Sequence, residues 1–155
     1  MNWFENAVFY HIYPIGYFGC PRQNDFTSEP THKILRVIDD IPHIKELGCN
    51  AVYFGPVFES SAHGYDTADY TKIDRRLGTN EDFKKVCDAL HENGIRVVLD
   101  GVFNHVGRDF WAFRDVRENK LGSAKKDWFH VREGNDGYND GFWYEGWEGH
   151  YELVK

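Results

Sequence analysis

Apolar residues gather in three short runs, and between them they recur every three or four positions. The runs are Ala7-Val8-Phe9-Tyr10-His11-Ile12-Tyr13, Ala51-Val52-Tyr53-Phe54 and Arg96-Val97-Val98-Leu99. Their length and their β-branched and aromatic content predict buried strands. Pro14 stops the first and Gly55-Pro56 the second, because proline cannot continue a central ladder. Ile34, Leu35, Val37, Ile38, Ile41, Ile44 and Leu47 give residues 31–47 a broad helical apolar face. Pro42 predicts a break or kink near Ile41, hence a loop or short helix and then a second turn ending at Gly48. A second helix is predicted with Thr79 as its cap and Asp82 at its third position. Its buried stripe would be Phe83, Val86, Cys87 and Leu90, and Asn93-Gly94 would end it.

The order strand, helix, strand, helix, strand predicts an α/β fold with parallel strands and right-handed crossovers. It fits the start of an (α/β)₈ barrel or part of an open sheet, and periodicity alone does not choose between them. Residues 104–150 change character: they are rich in Gly, Asn, Asp and aromatics and show no sustained period. A stretch of that length is a functional loop or a small subdomain. Of its tryptophans, Trp111, Trp128, Trp143 and Trp147, two or three are expected to fill a small core.

Composition narrows the partners. The net charge is −7 and no Lys/Arg cluster stands out, so a nucleic-acid face is not expected. An acidic surface with exposed Trp and Tyr suits a neutral, hydroxylated ligand, although solubility alone also accounts for the charge. Cys20, Cys49 and Cys87 are odd in number and lack C-x-x-C spacing, against a disulfide framework or zinc ribbon. No basic leader with a long apolar run opens the chain, and no apolar stretch is long enough to span a membrane. A cytoplasmic location is expected.

In parallel α/β folds ligands meet the C-terminal ends of strands. Tyr13-Pro14, His63-Gly64-Tyr65-Asp66 and the set Asp100, Asn104 and His105 follow the three strands there. A pyranose has apolar C–H faces and a polar rim. Tyr65 can stack on the face, and Asp66, Asn104 and His105 can hydrogen-bond the rim. Each has a plainer reading: Tyr65 as a loop tyrosine, Asp66 as a turn cap, Asp100 as an acceptor for backbone amides. His63 and His105 lack metal-ligand spacing, so zinc is not expected.

The stretch from Gly64 to Tyr70 (G-Y-D-T-A-D-Y), with Ile73-Asp74, Leu77-Gly78-Thr79 and Asp82-Phe83, resembles the α-amylase family, glycoside hydrolase family thirteen. So does the stretch from His91 to His105, which contains the signature D-x-V-x-N-H as Asp100 to His105. The resemblance is closest to the cyclomaltodextrinase, neopullulanase and maltogenic-amylase group. It implies a partial (β/α)₈ TIM barrel: residues 1–103 supply strands one to three, and residues 104–155 an irregular domain B insertion leading toward strand four. It also implies that Tyr65 stacks on the sugar at subsite −1, that His105 hydrogen-bonds the same sugar, and that His63 and Asp66 line that subsite. Asp100 would orient an arginine further along the barrel. Asn104 matches a position that in many members helps hold calcium, or supports the site without metal.

The calcium loop of some members is absent. Gly19 to Asp25 stands there with Asn24 and Asp25 as its only plausible oxygen ligands, whereas calcium takes about six to eight. No cofactor is therefore expected. Family members carry a nucleophilic Asp, a Glu acid/base and a further Asp on strands four, five and seven, which are expected beyond Lys155. A retaining mechanism needs two carboxyl groups about 5–5.5 Å apart. The resemblance thus implies an α-glucan-acting retaining hydrolase whose N-terminal part, predicted inactive alone, meets an α-glucan or maltooligosaccharide. A non-catalytic glucan-binding or regulatory module is the alternative. The open sheet edge further implies self-association or completion by another chain.

Overall fold

The computed structural model describes residues 2–135 and 138–155; Asp136 and Gly137, within the stretch expected to be irregular, lie outside the described residues. In chain order the elements are β1 (Phe9–Ile12), α1 (Pro14–Tyr17), α2 (Val37–Glu46), β2 (Ala51–Phe54), β3 (Phe58–Ser60), β4 (Thr67–Ile73), α3 (Asn80–Glu92), β5 (Arg96–Leu99) and β6 (Val106–Gly107). They continue with α4 (Trp111–Asn119), β7 (Val131–Arg132), β8 (Trp143–Tyr144), β9 (Gly146–Trp147) and β10 (His150–Val154). The chain forms two compact units, Met1–Val57 with Lys72–Gly101, and Phe58–Thr71 with Val102–Lys155. The boundary expected after residue 103 falls at 101/102, and the segment Phe58–Thr71 groups with the later residues.

In the first unit β1, β2 and β5 form a parallel sheet with β2 in the centre. Tyr10 pairs with Val52 and Val97, and Ile12 with Phe54 and Leu99. These residues share one face, since side chains alternate along a strand. The helices cover that face: Phe83 of α3 meets Phe54 edge to face at 5.4 Å, and His43 of α2 meets Tyr10 at 6.1 Å. Ile12, Val52 and Phe54 are buried there with Ile44, Val86 and Leu90. The opposite face carries exposed Phe9 and His11, and His11 lies 5.0 Å from Tyr53.

Pro42 does not break α2, contrary to the sequence expectation. A 3₁₀ turn over Lys33–Arg36 leads into a continuous helix with Pro42 inside it. Proline forfeits one bond, to the Ile38 carbonyl, on a residue at the exposed edge of the helix. Burial of Val37, Ile41 and Ile44 on the other side outweighs that loss. Gly48 ends the helix with φ 76°, a left-handed conformation that glycine adopts without a Cβ clash.

α3 follows its prediction closely. The Thr79 hydroxyl accepts from the Asp82 amide at 3.1 Å, and the Asp82 carboxylate accepts from the Thr79 amide at 3.1 Å. His32 Nδ1 lies 2.7 Å from the same carboxylate. Burial alone would push the Asp82 carboxyl up; His32 and Thr79 more than offset it and hold it below the usual range. Replacing Thr79 by alanine is expected to cost about 1 kcal/mol of stability, read from the midpoint of urea unfolding.

The second unit has its own core of Ala112, Phe113, Val116, Phe129, Phe142, Tyr144 and Val154. α4 lies in a stretch where no period was expected. Its nine residues make two and a half turns, too short for the apolar spacing of Ala112, Phe113 and Val116 to stand out among charges. The late tryptophans do not fill this core either: Trp111, Trp128 and Trp147 are 51%, 57% and 36% exposed, and Trp143 is half-buried. Phenylalanine and tyrosine do that work, with Phe113 at 5.2 Å from Phe129 and 4.9 Å from Tyr144. β10 pairs antiparallel with β6 and β9, closing the unit. No helix among the described residues is long and apolar enough to cross a membrane.

Candidate carbohydrate site

Two segments of the second unit build the site: the loop before β4, which carries His63, Tyr65 and Asp66, and the segment before β6, which carries Asn104 and His105. Their backbones touch at Gly107. A Cβ placed there would lie 2.3 Å from the Asp66 carbonyl oxygen and 2.7 Å from its carbon, so only glycine allows this approach. Tyr70 fixes the second segment by donating its hydroxyl to the carbonyl of Val102, with that of His105 at 3.4 Å. Burial pushes the Tyr70 phenol up, which keeps it a donor, although the Thr67 hydroxyl pulls the other way.

The loop is shaped by its own side chains. Asp66 Oδ1 accepts from the amides of His63 and Gly64, both at 3.1 Å. His63 Nδ1 accepts from the Tyr65 amide at 3.2 Å and lies 3.6 Å from Asp66 Oδ1. Asp66 is therefore a turn cap, and it is buried, while Tyr65 is 40% exposed with its ring 6.2 Å from that of His63. Gly64 occupies φ 95°, which turns the chain between them.

His105 joins the two segments. Its Nε2 lies 3.1 Å from the Tyr65 carbonyl, which can only accept, so Nε2 carries the proton. Nδ1 then accepts from Asn104 Nδ2 at 3.1 Å. The residue is 9% exposed, and burial lowers the imidazole pKa below its usual range. The bond to the Tyr65 carbonyl and the Asp66 charge oppose this, and His63 adds to it. A neutral ring with one donor and one acceptor results. A sugar hydroxyl reaches it only by displacing Asn104 or the Tyr65 carbonyl.

Five of the expected site residues, His63, Tyr65, Asp66, Asn104 and His105, thus meet in one unit. The sixth, Asp100, belongs to the first unit. Its amide donates to the Phe54 carbonyl at 2.9 Å, and its carboxylate accepts no hydrogen bond from the described residues. Among the described residues Asp100 therefore serves no backbone amide as acceptor. Gly107 and Tyr70 escaped the residue-level reading as site-builders; the tyrosine stood in the sequence pattern but carried no role there.

No group of three or more metal-ligating side chains is present among the described residues. In the loop from Gly19 to Asp25, Asn24 Oδ1 accepts from the Phe26 amide at 2.9 Å. Asp25 takes the amides of Thr27 and Ser28 at 3.0 and 2.9 Å together with the Ser28 hydroxyl. These bonds bring the exposed Asp25 carboxyl down to about 2, with the Ser28 hydroxyl the largest cause. The Asn24 and Asp25 side-chain oxygens serve the turn.

The chain is similar to known proteins. Residues 31–152 match the family described as "Alpha amylase, catalytic domain". Over 144 residues the chain is 42% identical to a cyclomaltodextrinase from Bacillus sp, covering 84% of this chain and 26% of that protein. It is 41% identical to a maltogenic α-amylase from Bacillus acidopullulyticus, covering 85% of this chain and 25% of that protein. Among solved structures, the cyclic α-maltosyl-(1→6)-maltose hydrolase from Arthrobacter globiformis in complex with maltose superposes with a TM-score of 0.83 at 37% identity, over all of this chain and 38% of that one. The debranching enzyme from Nostoc punctiforme gives 0.81 at 37% identity, over 99% of this chain and 36% of that one. The chain spans about a quarter of the length of the curated relatives it matches. It belongs to the α-amylase catalytic-domain family.

Proposed function

We propose that this chain is the N-terminal part of an α-glucan-acting retaining glycoside hydrolase and supplies the residues that grip the glucose unit next to the scissile bond. The observation that carries the reading is the joining of the loop of His63, Tyr65 and Asp66 to His105 through the Tyr65 carbonyl. The exposed Tyr65 ring suits the apolar face of a pyranose, and the neutral His105 imidazole, held by the Tyr65 carbonyl and Asn104, can exchange one of these partners for a hydroxyl of the sugar rim. The substrate class is α-1,4-glucan, maltodextrin or cyclodextrin. Relatives named for action on such sugars, one of them solved with maltose, support it.

In this reading the parallel sheet of β1, β2 and β5 is the first part of a (β/α)₈ barrel, and residues 104–155 form domain B. The face carrying Phe9, His11 and Tyr53 turns to the barrel interior. Asp100 keeps its carboxylate for an arginine of the remaining barrel. The bond-breaking carboxylates come from elsewhere in that barrel, because Asp66 spends Oδ1 on two amides and serves as scaffold. The outer strands β1 and β5 each keep one edge open to further pairing among the described residues.

Isothermal titration of the chain with maltose tests the reading together with a hydrolysis assay. Weak binding, with Kd on the order of 1 mM, and no hydrolysis above background are expected, since only part of the subsite is in place. Tight binding by the chain alone favours a glucan-binding module instead. Starch hydrolysis by the purified chain contradicts the proposal.

A further inference from the structure

One of the late tryptophans lies against the site. Trp147, at the end of β9, places its indole 5.4 Å from the His105 ring at 34°. On β10, His150 lies 6.3 Å from the same indole at 27°. The pairing of Trp147 with His150 is set by a two-residue turn, Glu148-Gly149, in which both residues have positive φ, 49° and 85°. That turn geometry matches the twist of a tight hairpin. Gly146 permits the closeness: a Cβ there would lie 2.5 Å from the His150 carbonyl oxygen. His150 is tied in turn to Glu152 at 3.2 Å.

We propose that Trp147 is a positioning residue for His105: its indole, backed by His150, sets the plane of the imidazole and keeps water from one of its faces. The hydrogen bonds to the Tyr65 carbonyl and Asn104 fix the ring's two nitrogens but leave it free to tilt about the line between them. The indole, tilted 34° against the imidazole and itself stacked on His150, restricts that freedom. It also accounts for the burial of a histidine whose neighbour Asn104 is exposed. The charged and titratable groups facing His105 are His63 and Asp66 from the loop before β4, and His150 with Glu152 behind the indole.

This proposal rests on the reading of His105 as a sugar contact, so the test separates the two. The His105 ring is titrated by NMR in the wild-type chain, Trp147→Ala and Trp147→Phe, and maltose is then added to each. In Trp147→Ala the titration midpoint of His105 is expected to move up toward the ordinary imidazole range, because its burial is relieved. Maltose binding weakens about 2- to 10-fold. Trp147→Phe restores most of both. Unchanged signals from Phe113 and Tyr144 show that the core is intact in each variant. An unshifted midpoint in Trp147→Ala overturns the proposal. A shifted midpoint with unaltered maltose binding leaves the hold of Trp147 on the ring standing and overturns the sugar-contact reading of His105.

Discussion

Replacing Asp74 by alanine is expected to cost about 3–5 kcal/mol, because it strands a buried cation. Arg76 and Asp74 are 5% and 0% exposed. Arg76 donates Nη2 to Asp74 Oδ2 at 2.7 Å and Nε to Oδ1 at 2.8 Å, a two-point grip that only a carboxylate completes. The same guanidinium donates Nη1 to the Pro21 carbonyl at 2.9 Å, and the Arg76 carbonyl accepts from the Thr31 hydroxyl at 2.8 Å. The pair thus anchors residues 21–31 to the stretch that leads into α3. With the carboxylate gone the guanidinium keeps its backbone acceptor but loses its counter-charge, and water cannot reach it cheaply. Such a loss is a large share of the 5–15 kcal/mol that typically separates folded from unfolded chains. Urea unfolding of the wild type, Asp74→Asn and Asp74→Ala measures it, with asparagine expected to fall between the other two. A change under about 1 kcal/mol for alanine would show that solvent reaches the pair.

Gly107→Ala is the second substitution with a large expected effect, and it strikes the site itself. The new methyl would meet backbone atoms of Asp66 at 2.3 and 2.7 Å, and backbone cannot swing aside as a flexible side chain does. β6 and the loop before β4 must then separate. That separation pulls the Tyr65 carbonyl from His105 Nε2, so the imidazole loses the bond that sets its orientation. The expected cost is about 1–3 kcal/mol, with loss of maltose binding beyond what the stability change explains. Gly122→Ala is the control: it has open space around it and no positive φ. It should leave both stability and binding unchanged. Retained maltose binding in Gly107→Ala would show that the loop tolerates displacement and does not shape the site.

Acid should weaken the site before it unfolds the protein. Burial lowers the His105 pKa, so the folded state resists protonation that the unfolded chain accepts. The contribution is fully present above the ordinary imidazole value of about 6.5 and is lost as pH falls through the lowered folded value. Protonation also turns Nδ1 into a second donor facing the Asn104 amide, whose nitrogen cannot accept. Maltose binding is therefore expected to fall off on the acidic side of neutrality, while a Tyr65→Phe variant keeps the same pH profile because the carbonyl remains.

What the chain's pattern made legible followed strong local rules. The second and third strands appear with the expected bounds because runs of β-branched and aromatic residues have few other ways to be buried. Thr79 and Asp82 form their capping box because both partners lie within one turn. Pro42 departs from its local rule because the buried face of Val37, Ile41 and Ile44 outweighs the one backbone bond that proline forfeits. α4 was hidden by its shortness, and the tryptophans by the assumption that large aromatics seek the core, where Phe113, Phe142 and Tyr144 were sufficient. At the site, the residue types suggested sugar chemistry, but their division of labour did not show in the sequence. The turn-capping role of Asp66 is local and stood among the readings of its residue type, whereas Gly107 as the point of backbone contact and Trp147 as the backing of His105 depend on contacts between segments about 40 residues apart in the chain.

The most direct test of the central claim is an NMR titration of the chain, with labelled histidine and tyrosine, against maltose and, separately, cellobiose. Saturable shifts of the His105 and Tyr65 ring signals with maltose, and weaker or no shifts with the β-linked sugar, are the predicted result. Shifts confined to residues outside the 63–66 and 104–107 segments, or none at all at tens of millimolar maltose, would contradict it.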